Sequence, residues 1–158
     1  MAVSELLLRV VDDALFAAIP AVGFAMLFNV PPRLLKFCAL AGALAHACRL
    51  LLIEAGLSIE LASFCAAVLI GTLAIYWSRR KAVPQQCFTV PAVIPMFPGK
   101  YIFSAMVGLV KVNLGEEASP ELLMLTAQNA LKGTAILGAL AAGVALPQMI
   151  MSRRKPVV

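Results

Sequence analysis

The sequence predicts an all-α integral membrane protein of about five transmembrane helices, and three observations predict it. Hydrophobic residues make up 62% of the 158-residue chain and charged residues only 13%. Mean hydropathy is +0.95, far outside the range of a domain that folds in water. The apolar residues gather into five runs, 6–30, 34–53, 59–77, 88–110 and 122–151, each close to the roughly 20 helical residues that cross about 30 Å of hydrocarbon. Separators are short, so residues 1–158 read as a single transmembrane domain. The chain opens with Glu5 and no basic stretch, and no small-residue cleavage site follows the first run. That run is expected to stay in the membrane.

Charge orients the runs. Arg33 and Lys36, then Arg79, Arg80 and Lys81, then Arg153, Arg154 and Lys155 fall in alternate connections and at the C-terminal end, with no acid among them. The carboxylates Glu5, Asp12, Asp13, Glu54, Glu60, Glu116, Glu117 and Glu121 lie in or near the other set, accompanied by Arg9 and Lys111. Lysine and arginine are retained on the cytoplasmic side, which places the N-terminus outside and the C-terminus in the cytoplasm. An odd number of spans follows.

In the first run, Glu5, Arg9 and Asp13 repeat every four residues near the outer end. Two readings are open for Asp12 and Asp13: an interfacial ion-pair ladder, or a proton relay. Pro20 and Gly23 bend or thin this helix, and Asn29 caps its inner end before Pro31 and Pro32.

The second run carries His46 and Arg49, three apart and so on one face. Histidine can titrate near neutral pH and arginine offers a fork matched to a carboxylate, a pair suited to an anionic group and a proton. The bland alternatives are a neutral interhelical hydrogen bond for His46, and for Arg49 snorkelling to the outer interface or pairing with Glu54 or a first-run aspartate. The third run ends in Tyr76 and Trp77 just before Arg79, the pattern of an aromatic anchor at the cytoplasmic interface.

The fourth run contains "IPMFPGK", Ile94 to Lys100, close to its centre. Proline removes a backbone donor, clashes with the preceding turn and pushes the residue before it out of helical geometry. The helix is therefore expected to break between Pro95 and Gly99, near the bilayer midplane. A re-entrant loop would put the Arg79 and Glu116 clusters on one side and destroy the charge pattern, so the run is read as a span. In hydrocarbon an opened backbone survives only when buried in protein or lining a polar cavity, and broken helices at the midplane are a common way to build a transporter site. A proline kink in a packed helix remains the alternative.

The fifth run places Gln128, Asn129 and Lys132 on one face, with Lys132 well inside the outer end. His46, Arg49, Lys100 and Lys132 against Asp12 and Asp13 leave a positive intramembrane balance, which favours a carboxylate-bearing substrate over a metal cation. Acids of a partner chain could equally neutralise it. Small residues at four-residue spacing, Ala39, Ala43 and Ala47 in one stripe and Gly138 with Ala142 in another, are the expected helix contacts. The cysteines Cys38, Cys48, Cys65 and Cys87 lack metal-ligand spacing and read as free thiols filling apolar space. No phosphate loop, nucleophile triad, paired catalytic carboxylates or basic aromatic patch is found. Neither an enzyme, a cofactor, a metal nor a nucleic acid is implied.

The segments "LFAAIPAVGFAMLFNVPPRLL", "HACR", "YWSRR" and above all "FTVPAVIPMFPG" resemble the small, YjjB-type subunit of the threonine/serine exporter family, over nearly the whole chain. The resemblance implies a multi-pass protein of the bacterial inner membrane. It also implies a larger YjjP-type membrane subunit as partner in a two-component exporter of small carboxylate-bearing metabolites. These are threonine and serine, or dicarboxylates such as succinate. Lys100 and Lys132 are not part of that family's pattern.

The expected function is thus a subunit of a secondary exporter, proton-coupled through His46. Its substrate or ion path would be lined by His46, Arg49, Pro95, Pro98, Gly99, Lys100, Asn129 and Lys132, with Asp12 and Asp13 as proton or ion-pair positions. The alternative is an accessory scaffold that stabilises a transporting partner without lining the path.

Overall fold

The computed structural model describes residues 3–114 and 119–152, and among these residues the regular structure is helical throughout. Six α-helices follow in order: α1 (Val3–Leu27), α2 (Leu35–Glu54), α3 (Ile59–Lys81), α4 (Gln86–Val93), α5 (Gly99–Asn113) and α6 (Pro120–Ser152). Short 3-10 turns, Pro32–Leu34 and Ile94–Met96, precede α2 and extend α4. α1, α2 with its leading turn, α3 and α6 are each long and apolar enough to cross a membrane. The fourth apolar run, carried by α4 with its turn and by α5, makes a fifth candidate span with a break in it. The all-α membrane architecture and the helix break within the fourth apolar run are those the sequence predicts. Glu116, Glu117, Arg153, Arg154 and Lys155 of the charge pattern lie outside the described residues.

The chain divides into two compact units, Met1–Met96 with Ala139–Val158, and Phe97–Gly138. In the first, α2 is central and packs against α1, α3 and α4. The α1 side of that contact is a four-residue stripe of Ala17, Ala21 and Ala25, all buried. It meets Gly42, where a β-carbon would sit 2.6 Å from the Ala21 Cβ and 3.1 Å from the Ala17 carbonyl. No side chain fits there. Lipid offers no hydrophobic drive between helices, so this close approach supplies van der Waals contact instead.

The packed stripe of α2 is therefore Cys38, Ala41, Gly42 and Ala45, while Ala39, Ala43 and Ala47 are only half-buried. A helix rich in small residues admits several four-residue stripes, and the one holding the glycine lets backbones come closest. The same correction applies to α6. Gly138 has open space around it, whereas a β-carbon at Gly143 would lie 2.6 Å from the Ala67 Cβ and 2.7 Å from the Phe64 carbonyl of α3. Ala142 is exposed, and Gly143 with Pro147 is the buried pair. Across from them α3 buries two adjacent rows, Ala62, Ala66, Ile70 and Ala74 beside Ser63, Ala67, Gly71 and Ile75.

Helix ends are set by local hydrogen bonding. Asn29 adopts a left-handed conformation (φ 55°). The Val30 and Asn29 amides donate back to the Ala25 and Met26 carbonyls at 2.9 and 3.0 Å. This is the Schellman stop, in which Val30 packs on Ala25 within one buried cluster. Ser58 caps α3 by accepting from the Leu61 amide at 3.4 Å. Near the other end of α3, Trp77 meets Phe37 of α2 (centroids 5.4 Å apart) and Phe88 of α4 (5.7 Å). Trp77 is thus part of the helix packing. Tyr76, half exposed, takes the outward position, with the Arg80 guanidinium 4.5 Å from its ring centroid.

The second unit is a hairpin of α5 and the first part of α6. α5 buries Ala105 and Gly108, and Thr126 fills the space that a side chain at position 108 would need. Thr126 Oγ1 donates to the Leu122 carbonyl at 2.7 Å, so this buried hydroxyl is satisfied within its own helix.

Candidate functional site: a charged cluster at a broken helix

α4 and its turn span Gln86–Met96, eight residues followed by three. At the rises of α- and 3-10 helices this is roughly 18 Å, just over half the hydrocarbon thickness of about 30 Å. Pro91 lies inside α4 without ending it; the helix stops after Met96 and resumes at Gly99, with Pro98 as the preceding cap residue. Proline at 95 and 98 removes two amide donors in succession, which starves the ladder of the bonds a continuing helix needs. The Met96 carbonyl would have bonded the amide four residues on. It needs another donor.

Arg49 supplies that donor: its Nη1 lies 3.1 Å from the Met96 carbonyl oxygen. The guanidinium reaches from α2, five residues before the helix ends at Glu54. One turn earlier on the same face, His46 Nδ1 is 3.3 Å from Asp13 Oδ2 of α1. A carboxylate oxygen accepts, so in this contact Nδ1 is the donor. Nε2 is buried and has no hydrogen-bond partner among the described residues. The Pro95 carbonyl and Arg49 also face the ring. Three elements thus converge: α1 brings an acid, α2 an imidazole and a guanidinium, and the turn after α4 two carbonyls.

Of the residues singled out in the sequence, Asp13, His46, Arg49 and Pro95 are brought together. Asp13 turns to α2 and not along its own helix to Arg9, so the four-residue ladder at the outer end is not formed; Asp12 is exposed. Pro98, Gly99, Lys100, Asn129 and Lys132 belong to the second unit. Lys100 and Lys132 are exposed there. Lys132 Nζ lies 5.9 Å from the Tyr101 ring centroid, a weak cation–π contact. Asn129 lines a groove of about 280 Å³ together with Ser104, Lys111 and Thr126. Met96 is the member of the first cluster that the sequence did not reveal, because its part is played by a backbone carbonyl. The signal was nonetheless present: a helix broken between Pro95 and Gly99 leaves its last carbonyls without amide partners.

Chemically, the cluster offers one fixed cation, one carboxylate, one imidazole and freed carbonyl dipoles in a mostly apolar surround. Such intramembrane polar groups are costly and face protein interior or a water-filled cavity. The set can bind a small zwitterion or anion and hold a proton.

No solved structure matches the chain. A family model described as Threonine/Serine exporter, ThrE matches residues 13–150, a stretch that opens on Asp13 and takes in His46, Arg49 and the whole broken span. That match covers most of the chain, and the helices under it are those of a multi-pass inner-membrane protein. The chain accordingly belongs to the threonine/serine exporter family, as a membrane component of a transporter.

Proposed function

We propose that Asp13, His46, Arg49 and the Pro95–Met96 carbonyls form part of the substrate path of a secondary exporter of small carboxylate-bearing metabolites. The observation that carries the reading is the bond from Arg49 to the Met96 carbonyl at 3.1 Å, a guanidinium held at the open end of a half-helix. A guanidinium carries five N–H donors in a fork that matches a carboxylate. A substrate carboxylate is taken either beside the Met96 carbonyl or in exchange for it. Exchange would loosen the turn from α2 and so link binding to movement of the broken span. An α-ammonium finds acceptors in Asp13 and the freed carbonyls, which suits threonine and serine. A dicarboxylate such as succinate would need a second cation beside Arg49.

Proton coupling fits the His46–Asp13 pair, since an imidazole bonded to a carboxylate is a ready proton carrier. The orientation proposed is N-terminus outside and C-terminus in the cytoplasm, and the working complex includes a larger YjjP-type membrane subunit. A second reading attaches to the α5–α6 hairpin, where Lys100, Gln128 and Lys132 are exposed. Charges in a spanning segment need protein or water beside them, which an accessory role against that partner would provide.

The test is substrate flux in proteoliposomes holding both subunits, with wild type compared to His46→Ala, Arg49→Ala and Pro98→Ala at equal assembly. Loss of flux with intact assembly is expected. Unchanged flux in all three defeats the path reading in favour of the scaffold. An imposed pH gradient on the same vesicles tests the coupling.

A further inference from the structure

We propose that the groove between α5 and α6 is a second binding site, for a small carboxylate anion, with Lys111 at its outer mouth and Lys100 and Lys132 at its inner end. All of these residues belong to the second unit. The groove has a volume of about 280 Å³, and Ser104, Val107 and Lys111 of α5 face Thr126 and Asn129 of α6 across it. Lys100, Ser104, Val107 and Lys111 recur at steps of four, three and four residues, which is one face of a helix. Lys132 follows Asn129 at a step of three and continues the α6 wall inward. The two inner lysines lie at nearly one depth, because Gly133 backs onto Ile102 and Lys132 Nζ lies 5.9 Å from the Tyr101 ring centroid.

At the α-helical rise, Lys132 is about 18 Å along α6 from Pro120 and Lys100 about 20 Å along α5 from Asn113. Ammonium groups at such depth are costly in hydrocarbon and call for water or a counter-charge. Neither they nor Lys111 form an ion pair among the described residues. The polar groups between them are unspent as well. Thr126 and Thr134 turn their hydroxyls back onto carbonyls of their own helix, whereas Ser104 and Asn129 make no side-chain hydrogen bond among the described residues. Three cations, a hydroxyl and an amide suit an anion that brings several acceptors.

Size and depth choose the class of anion. A transmembrane helix is about 10–12 Å across and would lie over this groove, not in it. A phospholipid phosphate stays at the interface, where it could meet Lys111 but not the inner pair. A small carboxylate entering past Lys111 reaches both. Binding here is independent of the Arg49 cluster, but a part in export rests on the path reading given above.

The experiment uses the two-subunit complex in liposomes, with the native cysteines of this chain replaced by alanine and a thiol introduced as Ser104→Cys. The probes are an anionic and a cationic methanethiosulfonate, their rates scaled to those with a free thiol in solution. The thiol is expected to react and to favour the anionic reagent by about tenfold or more, the scale on which a cleft of one charge concentrates counter-ions. Succinate and alanine are expected to slow the reaction, and 1,4-diaminobutane to leave it unchanged. Lys100→Gln with Lys132→Gln should abolish both the preference and the protection, and Lys100→Arg with Lys132→Arg should keep them. Asn129→Cys reports the opposite wall if Ser104→Cys fails to assemble.

A thiol that reacts with neither reagent faces lipid. One that reacts only when the partner subunit is left out lies in a docking surface for that subunit. Labelling slowed by phosphatidylglycerol in the liposomes, and not by succinate, identifies a lipid phosphate. Each of these outcomes overturns the proposal. Failure of the path reading looks different: Arg49→Ala then leaves flux intact while succinate still protects the groove.

Discussion

Arg49 Nη1 donates to the Met96 carbonyl across 3.1 Å, joining the middle helix of the first unit to the point where the fourth span breaks. Removing the guanidinium strands a carbonyl that the end of the helix at Met96 leaves without an amide partner. Leaving a buried acceptor unpaired costs about 1–3 kcal/mol. Arg49→Ala is thus expected to lower the thermal midpoint of the detergent-solubilised protein as well as flux. Arg49→Lys keeps the charge but loses the planar fork. It should restore part of the stability and little of the transport, with flux down by roughly tenfold, the scale of one lost hydrogen bond to a charged group. Equal recovery of both would mean that Arg49 acts only as a structural cap.

The His46–Asp13 pair predicts a coupling energy. Asp13→Asn and His46→Gln each disturb the same contact, so the double variant should be less destabilised than the sum of the singles. Contacting residues typically show an interaction of about 0.5–3 kcal/mol, and the half-exposed Asp13 carboxylate places this pair at the low end. Asp12→Asn, exposed on the same helix, should change stability by no more than about 0.5 kcal/mol and add independently to His46→Gln. Chemical unfolding of the wild type and these five variants in mixed micelles reads both quantities.

Much of this architecture was legible because lipid leaves few choices. Five apolar runs could only be helices, and "IPMFPGK" could only interrupt one, since two prolines remove the donors a helix needs. His46 and Arg49 stood out because ionisable groups are rare in hydrocarbon and almost always matched. What the sequence could not show was the partner of each. Asp13 had Arg9 one turn away on its own helix and took His46 on the next, because its half-exposed carboxylate lies on the side of α1 that meets α2, whereas Arg9 is exposed. Met96 was invisible, since every residue has a carbonyl.

Stripe register was illegible for a related reason, and it yields a sharp comparison. Gly42 and Gly143 have neighbours at 2.6 Å from where a β-carbon would sit, whereas Gly138 has open space. Gly42→Val and Gly143→Val should therefore cost at least about 1–3 kcal/mol, the usual penalty of overpacking. Gly138→Ala should be neutral or slightly stabilising, as alanine is the better helix former. Thermal denaturation in detergent distinguishes them, and a Gly138 variant as damaging as the other two would restore the stripe drawn from sequence.

Trp77 and Tyr76 are adjacent, yet only Trp77 packs with Phe37 and Phe88 at the junction of α2, α3 and α4. Trp77→Ala should destabilise by about 3–5 kcal/mol, as large-to-small changes in packed aromatic clusters do. Tyr76→Ala should leave unfolding within about 0.5 kcal/mol, because that ring is half exposed and its partner Arg80 lies at the surface. If Tyr76 proves the costlier loss, the aromatic anchor at the membrane interface outweighs the internal cluster.

Orientation gives the last prediction. Arg33 and Lys36 flank the start of α2, and Arg79, Arg80 and Lys81 end α3, whereas Gly56 and Leu57 lie between α2 and α3 with Glu54 and Glu60 as neighbours. Positive charge is retained on the cytoplasmic side. In a protein whose native cysteines are replaced by alanine, a thiol introduced as Leu57→Cys should react with a membrane-impermeant maleimide in intact cells. A thiol introduced as Val83→Cys should react only after permeabilisation. Arg79→Glu together with Arg80→Glu and Lys81→Glu removes the largest basic cluster among the described residues, and should produce a mixed or inverted population in which position 83 becomes labelled from outside. Labelling of position 83 in intact wild-type cells would reverse the proposed orientation and place the Asp13 end of α1 on the cytoplasmic face. The His46–Asp13 pair would then lie nearer the cytoplasm than the periplasm, and a proton entering it would do so from the opposite side.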